Sequence, residues 1–406
     1  MNTLSLSRLT SANMTFKPLS AIFNILLLAI GIAIILTLIH VNNQLDNRLT
    51  KDLQGIDLVV SGKGSPLQII LSSVFHMDIP TGNIPVSEAN QLKANPLIKS
   101  AIPLALGDNY KGYRIVGTNS DYIAHYHGQL ALGRLYNMKM EAVVGNEVAE
   151  KYHLQPGDKV VGAHGLINSN DLHTDFPYSI VGVLKPTGSI LDRLVLTPVE
   201  SVWYVHEYPD KDDPGESVYK KEHPWNEITS LLISYKSPLA AAQLPRLINK
   251  SSSMQAASPA FEIARLNKLM GASSDMLSAF GILLIGFSAF GFFITLYNSV
   301  NERKYDIALM RSLGATRGRI FSYIMTEVLV LGMTGSIIGV ILTQMFVRAT
   351  DAWIYASKHI TFESISIFGT PEVYVIIAVL GMSILAGLLP ALKAYNMNII
   401  KTLGQA

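Results

Sequence analysis

Histidines are the residues of this sequence whose type and spacing come closest to a chemical site. His125 and His127 form an H-Y-H triplet, and His153, His164 and His173 follow along the chain. On a strand, the first two imidazoles would lie on one face, and imidazole is a common zinc ligand. Zinc needs three or four ligands that converge, which linear spacing does not establish. We therefore predict ordinary surface histidines and assign no metal site.

Two other segments resemble functional motifs only in part. H-E-Y-P-D, residues 206–210, ends in Asp210 where the H-E-x-x-H zinc motif has its second histidine. G-K-G-S at Gly62 is not a P-loop, because Asp57 occupies the position of the first glycine and Gly64 that of Ser or Thr. The chain has no cysteine, which excludes disulfides and thiolate nucleophiles. We predict no catalytic residue and no cofactor bound by this chain.

The composition indicates a protein that is partly in a membrane and partly in water. Of 406 residues, 49% are apolar and 15% charged, with a mean hydropathy of +0.31. An ordinary soluble domain is less apolar, and an all-helical transporter is more so. The net charge of +2 gives no reason to expect a nucleic-acid partner.

Four segments have the length and apolarity of transmembrane helices, about 20 residues for a hydrocarbon core of about 30 Å. They are residues 19–40, 275–299, 320–347 and 373–393. The first is uncharged, too long for a signal-peptide core, and lacks a convincing small-residue cleavage site, so we interpret it as a retained span. The lipid bilayer is thus the first predicted partner.

Positive charge is concentrated between the second and third spans, which predicts that this loop is cytoplasmic. The loop between the third and fourth spans offers only Arg348 and Lys358. Both termini are then cytoplasmic, and the large domain lies outside, in the periplasm if the cell has two membranes. The cytoplasmic loop contains Arg303, Lys304, Arg311, Arg317 and Arg319.

The long segment 41–274 is predicted to be a mixed α/β domain. Short runs rich in Val and Ile, such as Y-S-I-V-G-V-L, alternate with Gly, Pro, Asn and Asp, and helical patterns are interspersed. Val41, Leu45, Leu49 and Leu53 are four residues apart, so the first span is expected to continue outward as an amphipathic stalk. A matching stalk precedes the second span.

The charged segment 300–319 has the pattern of a short amphipathic helix. It is predicted to run from about Ser299 to Leu313, with Ser299 and Glu302 as a capping box and Gly314 as the C-terminal cap. Thr316 can cap the next helix. Two interpretations are open: a solvated positive-inside loop, or a helix that presses Leu309, Met310 and Leu313 into a groove on a cytoplasmic protein.

The stretch NERKYDIALMRSLGATRGRIFSYIMTEVLVLGMTGSIIGVIL, residues 301–342, resembles the signature of the FtsX/MacB-like permeases of ABC systems, whose relatives include LolC and LolE. Those permeases have one span, a large outer domain, three more spans and a charged helical loop. The family usually has Glu where this chain has Asp306. The outer domain resembles the MacB-like periplasmic domain more loosely.

The resemblance implies a fold of four transmembrane helices plus a large mixed α/β periplasmic domain. It implies a LolD/MacB-type ABC ATPase subunit as partner, with ATP bound on that partner, and a second copy of the permease or a paralogue. An exported periplasmic or lipoprotein partner is also in keeping with it, as is a place in the bacterial inner membrane. The residues implied in ATPase coupling are Glu302, Arg303, Asp306, Leu309, Met310, Arg311, Leu313 and Gly314.

Three residues of the third span need separate interpretations. Gly335 and Gly339 form a small-xxx-small pair that permits close helix packing, including a seam between two copies. Glu327 is an intramembrane carboxylate, which suggests either a proton relay or a structural pair. Because it lies near the cytoplasmic edge, we favour pairing with Arg319 or Lys17.

The leading functional hypothesis is a non-enzymatic permease that transmits ATPase movement to its outer domain. One alternative is a conventional transporter subunit with a substrate path through the membrane. The other is a membrane-anchored enzyme, which no motif in the sequence supports. The sequence does not distinguish between a lipoprotein, a peptide, a lipid, a small molecule and a metal as the substrate. The expected segments are 1–18 entry, 19–40 span, 41–274 outer domain, 275–299 span, 300–319 coupling helix, 320–347 span, 348–372 outer loop, 373–393 span and 394–406 tail.

Overall fold

The computed structural model describes residues 18–165, 172–207, 227–358 and 369–397. The chain divides into two units. The membrane unit consists of Met1–Gln44, Met270–Ile354 and Thr361–Ala406, and the α/β unit of Leu45–Leu269 and Tyr355–Ile360.

The described helices include four that are very long. In chain order they are α1 (Pro18–Leu53), α2 (Pro66–Ser73), α3 (Val86–Lys93), α4 (Ser120–His125), α5 (Asn146–Tyr152), α6 (Val199–Glu207), α7 (Pro238–Ser251), α8 (Pro259–Glu302), α9 (Lys304–Ser312), α10 (Arg317–Lys358) and α11 (Thr370–Tyr395).

The described strands all lie in the α/β unit. They are β1 (Leu58–Gly62), β2 (Ile84–Pro85), β3 (Ile98–Tyr110), β4 (Tyr113–Gly117), β5 (Leu130–Gly133), β6 (Glu141–Val144), β7 (Lys159–Val160), β8 (Ala163–His164), β9 (Tyr178–Leu184), β10 (Val195–Thr197), β11 (Glu227–Ile228), β12 (Ser230–Tyr235) and β13 (Met254–Ala257).

Helices α1, α8, α10 and α11 are long and apolar enough to cross a membrane. Together with the mixed α/β unit between the first and second spans, they confirm the predicted architecture. Helix α1 extends to Leu53, and Leu49 is buried in the core of the α/β unit with Leu45 and Leu53 packed against it. The predicted amphipathic stalk is therefore helical. Helix α10 continues to Lys358, beyond the expected end of the third span at Val347.

Glycines allow the helices of the membrane unit to pack closely. A methyl group on Gly335 would lie 2.6 Å from Leu28 Cδ2 of α1, and one on Gly339 would lie 2.8 Å from Ile32 Cβ. Such distances leave no room for a side chain, so both glycines permit α10 to approach α1. The predicted close helix packing at both glycines thus occurs within one chain, and a seam between two copies stays a prediction.

The α/β unit is built on one 11-stranded sheet with the order β13-β1-β12-β3-β4-β10-β6-β9-β5. Strand β7 pairs with β9 and β8 with β3, while β11 and β2 form a separate two-stranded sheet. The pairs β10–β4 and β6–β9 are parallel and the other pairs are antiparallel. Apolar residues on the sheet strands form the main buried clusters.

Strand β3 is the longest strand, and the sequence did not indicate it. Its sequence, I-K-S-A-I-P-L-A-L-G-D-N-Y, contains Pro103, Gly107, Asp108 and Asn109, which are all disfavoured in strands. The strand forms because β12 and β4 pair with its two edges, with a register irregularity between Leu106 and Asn109. Tertiary pairing here overrides local propensity.

Candidate functional site

Helix α9 is the short charged helix that the sequence predicted in the loop between the second and third spans. Helix α8 runs through Ser299 to Glu302, and Arg303 alone separates it from α9. The N–H of Arg303 donates to the carbonyl of Ser299 at 3.0 Å, a bond inside the helical turn. The predicted capping box of Ser299 and Glu302 was therefore wrong, because the membrane helix does not end there.

One face of α9 packs on the membrane helices. Ile307 and Ala308 are buried, and Met310 packs partly buried against the same apolar cluster. Helices α8, α10 and α11 all contribute to this cluster, so α9 rests on three of the four spanning helices. The remaining buried members are Leu296, Val300, Ile320, Ile324, Val328, Ala391 and Ala394.

The opposite face of α9 exposes a line of large apolar side chains. Tyr305, Leu309 and Leu313 are four residues apart and are 47%, 45% and 81% exposed. Residues at this spacing lie on one helical face. Leu309 and Leu313 thus lie on the exposed face together with Tyr305, whereas Met310 lies on the inner face. We call Tyr305, Leu309 and Leu313 the α9 stripe.

Arginines fix both ends of α9 to neighbouring elements. Arg303 Nη1 donates to the hydroxyl of Tyr323 at 3.4 Å, and Arg311 Nη1 donates to the carbonyl of Met397 at 2.8 Å. Asp306 is exposed in the first turn, where a carboxylate favours the positive end of the helix dipole. This hydrogen bond ties Arg311 to the chain itself, and the role in ATPase coupling that the resemblance implied for Arg311 stays a prediction.

Gly314 ends α9 as predicted. Its φ is +102°, a left-handed conformation that glycine adopts without strain. The N–H of Ala315 donates to the carbonyl of Met310 at 3.0 Å, and that of Gly314 to the carbonyl of Arg311 at 3.1 Å. This is the Schellman pattern of helix termination. Thr316 Oγ1 then accepts from the N–H of Arg319 at 3.3 Å and caps α10, as predicted.

Two acidic residues are buried in the described part of the membrane unit, and their surroundings differ. Glu327 on α10 is buried, and its predicted pairing with Arg319 or Lys17 stays a prediction, since Lys17 lies outside the described residues. Glu372 at the start of α11 contacts His40 of α1, with 2.6 Å between Oε1 and Nε2. Its other oxygen accepts from the N–H of Gly369 at 2.9 Å. No pattern in the sequence indicated this pair.

The histidines of the α/β unit separate into two groups. His125 ends helix α4, and His127 follows with a φ of 55°, so the expectation that they share a strand face was wrong. His153 caps the end of α5 in a left-handed conformation. None of these three belongs to the ligand cluster found in the described part of the chain.

His164 and His173 converge with two residues that the sequence analysis did not select. Asp108 Oδ1 lies 3.3 Å from His164 Nδ1, 3.6 Å from His173 Nε2 and 3.5 Å from His206 Nε2. One candidate ligand atom from each residue lies within 4.8 Å of the others. We call these four residues the Asp108 cluster. His164 and His173 are thus not isolated surface histidines, while the prediction that they form no metal site stays untested.

Four elements position the Asp108 cluster. Asp108 lies in the irregular part of β3, directly opposite His164 on β8. His173 follows an isolated bridge between Leu172 and Ala163, and His206 lies in the last turn of α6. The four residues are far apart in the sequence. The sequence pointed to His206 only as the first residue of H-E-Y-P-D, and it did not point to Asp108.

The electrostatics of Asp108 are dominated by the histidines. The side chain is 1% exposed, and burial alone would raise the pKa of the carboxyl group. The contacts with His164, His173 and His206 outweigh burial and hold this pKa well below its usual range. Burial lowers the pKa of neighbouring Arg114 to about 10, against the opposing effect of Asp108.

Comparison with known proteins gives the family. Residues 21–250 match the MacB-like periplasmic core domain, and residues 278–399 match the FtsX-like permease C-terminal domain. The chain is similar to an uncharacterised ABC transporter permease of Methanocaldococcus jannaschii, with 23% identity over 285 residues, 64% of this chain and 66% of that protein.

Two further relatives have described roles. The macrolide export ATP-binding/permease protein MacB of Rhodopirellula baltica is 22% identical over 321 residues, 70% of this chain and 45% of that protein. The lipoprotein-releasing system transmembrane protein LolE of Haemophilus influenzae is 28% identical over 131 residues, 29% of this chain and 31% of that protein. The matched regions thus cover from 31% to 66% of the length of the three relatives. The match to the periplasmic core domain precedes the match to the permease C-terminal domain, in the same order as the α/β unit and the last three spans. The chain belongs to the FtsX/MacB-like family of ABC transporter permeases.

Proposed function

We propose that this chain is the permease subunit of an ABC system and transmits the movement of a separate cytoplasmic ATPase to its own α/β unit. The observation that carries this proposal is the two-faced packing of α9. Its inner face rests on α8, α10 and α11, while the α9 stripe is exposed. A partner that binds the stripe would therefore push on three spanning helices at once.

The exposed stripe suits the helix-in-groove mode of recognition. In that mode, apolar anchors at spacings of three or four residues enter a hydrophobic groove of the partner. Tyr305, Leu309 and Leu313 have this spacing, and the Schellman turn at Gly314 fixes where the stripe ends. The arginine contacts to Tyr323 and Met397 would hold the helix in place when force is applied.

Two continuous helices support the proposal that movement is transmitted to the α/β unit. Helix α1 runs without a break from Pro18 to Leu53, and α8 from Pro259 to Glu302. Each helix therefore contains residues of both units. A hydrogen-bonded helix transmits displacement along its axis without any need for a substrate path through the bilayer.

The orientation in this proposal places α9 in the cytoplasm and the α/β unit in the periplasm. It rests on the positive residues around α9, compared with the few in the opposite loop. The partner would be an ABC ATPase of the LolD/MacB type. Because such ATPases close in pairs, we propose two permease subunits, either two copies of this chain or one copy with a paralogue.

The relatives suggest the class of work but not one substrate. MacB is named for macrolide export and LolE for lipoprotein release. For this chain we propose extraction or export of a substrate taken from the outer face of the membrane. The chain itself would supply no catalytic residue, and ATP would be bound and hydrolysed by the partner.

The proposal is tested with the complex from native membranes. The affinity-tagged chain, purified in detergent, should retain a subunit with a Walker A motif and should hydrolyse MgATP with vanadate sensitivity. Reconstitution in vesicles should show hydrolysis that is stimulated by the outer-face substrate without movement of that substrate across the bilayer. Purified chain with no associated ATPase, or substrate crossing into the vesicle, would contradict the proposal.

A further inference from the structure

We propose that Asp108, His164, His173 and His206 form a binding site for a divalent first-row transition metal, with Zn²⁺ the favoured ion. The site lies entirely in the α/β unit, and the inference does not depend on the proposed coupling to an ATPase. It assigns to this unit a ligand-binding property that the family assignment does not include.

The distances from Asp108 to the three imidazoles fit the separation of metal ligands better than that of direct hydrogen bonds. Ligands at about 2.0 to 2.2 Å from a tetrahedral zinc ion are about 3.3 to 3.6 Å from one another. The three distances from Asp108 Oδ1 to imidazole nitrogens are 3.3, 3.6 and 3.5 Å. Hydrogen bonds between nitrogen and oxygen have a mode of about 2.9 to 3.0 Å. The three imidazoles thus surround the carboxylate at the separation of co-ligands.

Three buried polar atoms of Asp108 and His173 also lack hydrogen-bond partners among the described residues. Both carboxylate oxygens of Asp108 and Nε2 of His173 are buried and have no hydrogen-bond partner among the described residues. A buried carboxylate without a partner is costly, and such groups in native proteins are normally paired or coordinate metals. A cation among the four side chains would satisfy these atoms together.

Arg114 is the main alternative partner for the buried carboxylate. Its described hydrogen bonds go elsewhere, since Nη2 donates to the carbonyl of Asp78 at 3.0 Å and Nη1 to that of Gly165 at 3.5 Å. The guanidinium interacts with Asp108 through its charge. It therefore offsets part of the negative charge but leaves the carboxylate oxygens free to coordinate.

The surroundings hold the ligands in place. Asn109 Nδ2 donates to the carbonyls of Ala163 and Gly165, at 3.1 and 2.9 Å, and so fixes the backbone on both sides of His164. The N–H of His173 donates to the carbonyl of Gly162 at 2.9 Å. These bonds hold in place the backbone segments that carry His164 and His173.

Glycine at position 107 allows the fourth ligand to approach. A methyl group there would lie 3.2 Å from His206 Nε2, inside normal contact distance. The side chain of His206 is 21% exposed, that of His173 15% and that of His164 44%. An ion can therefore reach the cluster from the side of His164, its most exposed member, whereas the Asp108 carboxylate is buried.

The ligand types determine the class of ion. Three imidazole nitrogens and one carboxylate suit Zn²⁺, and Co²⁺, Ni²⁺ and Cu²⁺ share this preference, whereas Ca²⁺ and Mg²⁺ take six or more oxygen ligands or waters. Zinc accepts four-coordinate tetrahedral geometry without electronic preference. We therefore expect selection against Ca²⁺ and Mg²⁺.

The test uses the full-length chain in detergent, stripped with a chelator and titrated with Zn²⁺ in competition with a chromophoric chelator. We expect one ion per chain, with affinity reduced at least about 100-fold in His173→Gln and in Asp108→Asn, since even outer-shell changes cost about 10- to 100-fold. Co²⁺ should give the visible absorption of a four-coordinate site in the unchanged chain and not in either variant.

His127→Asn is the matched control. His127 is exposed, lies outside the cluster and has a φ of 55°, which asparagine accepts. Its Zn²⁺ affinity should equal that of the unchanged chain. Equal affinity in all the variants, or equal loss in His127→Asn, would overturn the proposal. Circular dichroism of the metal-free proteins checks folding, and His206→Gln replaces any variant that does not fold.

Discussion

Arg311 Nη1 donates a hydrogen bond of 2.8 Å to the carbonyl oxygen of Met397, just after the end of α11. The bond joins the last turn of α9 to the last spanning helix. Because α9 also packs on α8 and α10, its position depends on all three helices that follow the α/β unit in the chain. Movement of α9 therefore cannot be independent of the bundle.

Arg311→Ala should loosen the C-terminal end of α9. The lost hydrogen bond involves a charged donor, and such bonds contribute about 1.5 to 3 kcal/mol. Amide hydrogen exchange in residues 304–313 should become faster, while membrane insertion is unchanged. Arg319→Ala, at an exposed position outside α9, is the control and should leave this exchange rate unaltered. Equal protection in Arg311→Ala would show that the contact does not hold the helix.

Gly339→Leu should destabilise the membrane unit. A side chain at Gly339 would meet Ile32 and the carbonyl of Ala29, so α10 and α1 would have to separate. Overpacking of this kind typically costs about 1 to 3 kcal/mol. Gly286→Leu is the matched control, since a side chain there meets nothing within 4 Å. Thermal unfolding in detergent should show a lower midpoint only for Gly339→Leu, and equal midpoints would contradict the proposed helix contact.

Glu141 should make the α/β unit sensitive to acid. The Arg134 guanidinium, which donates to both carboxylate oxygens, and the N–H groups of Asn137 and Met138 lower the pKa of Glu141 to about 2. A carboxylate whose pKa is lower in the folded state stabilises the protein above its ordinary pKa of about 4.3. This contribution is lost as the pH falls from there toward 2.

The stability difference between the unchanged chain and Glu141→Gln should therefore shrink over that pH range. Urea unfolding followed by tryptophan fluorescence measures it. Glu150→Gln, at an exposed position, is the control, and its stability difference should change less over this pH range. A difference for Glu141→Gln that does not change with pH would show that the ion pair does not stabilise the fold.

Single cysteines should report the orientation, because the chain has none of its own. Ser253 in the α/β unit and Ser312 at the end of α9 are both exposed. In intact cells, with the outer membrane permeabilised if there is one, Ser253→Cys should react with a membrane-impermeant maleimide. Ser312→Cys should react only after the inner membrane is opened. The reverse pattern would exclude α9 from the cytoplasm.

The sequence could predict the spans, most of the strands rich in Val and Ile, and the end of α9 at Gly314. These features depend on local composition and backbone conformation. It could not predict which face of α9 is free, because the burial of Met310 depends on contacts with α8, α10 and α11. The capping box at Ser299 was wrong for a related reason, since α8 continues through it.

The sequence could not predict the Asp108 cluster, and the reason is physical. Asp108 lies on a strand whose own sequence disfavours a strand, and pairing with β8 brings it opposite His164. His206 reaches the cluster from a helix at a distant position in the chain. The convergence depends on sheet topology, which neither histidine spacing nor composition contains.

The central claim is that the α9 stripe is the contact with the ATPase. In the complex purified from native membranes, Leu313→Asp should abolish ATPase co-purification and substrate-stimulated hydrolysis, since loss of one buried interface anchor commonly costs about 2 to 4 kcal/mol. Leu239→Asp, which places the same charge on an exposed leucine of α7, should retain both. Full co-purification and stimulation in Leu313→Asp would contradict the account and leave α9 as a solvated positive loop.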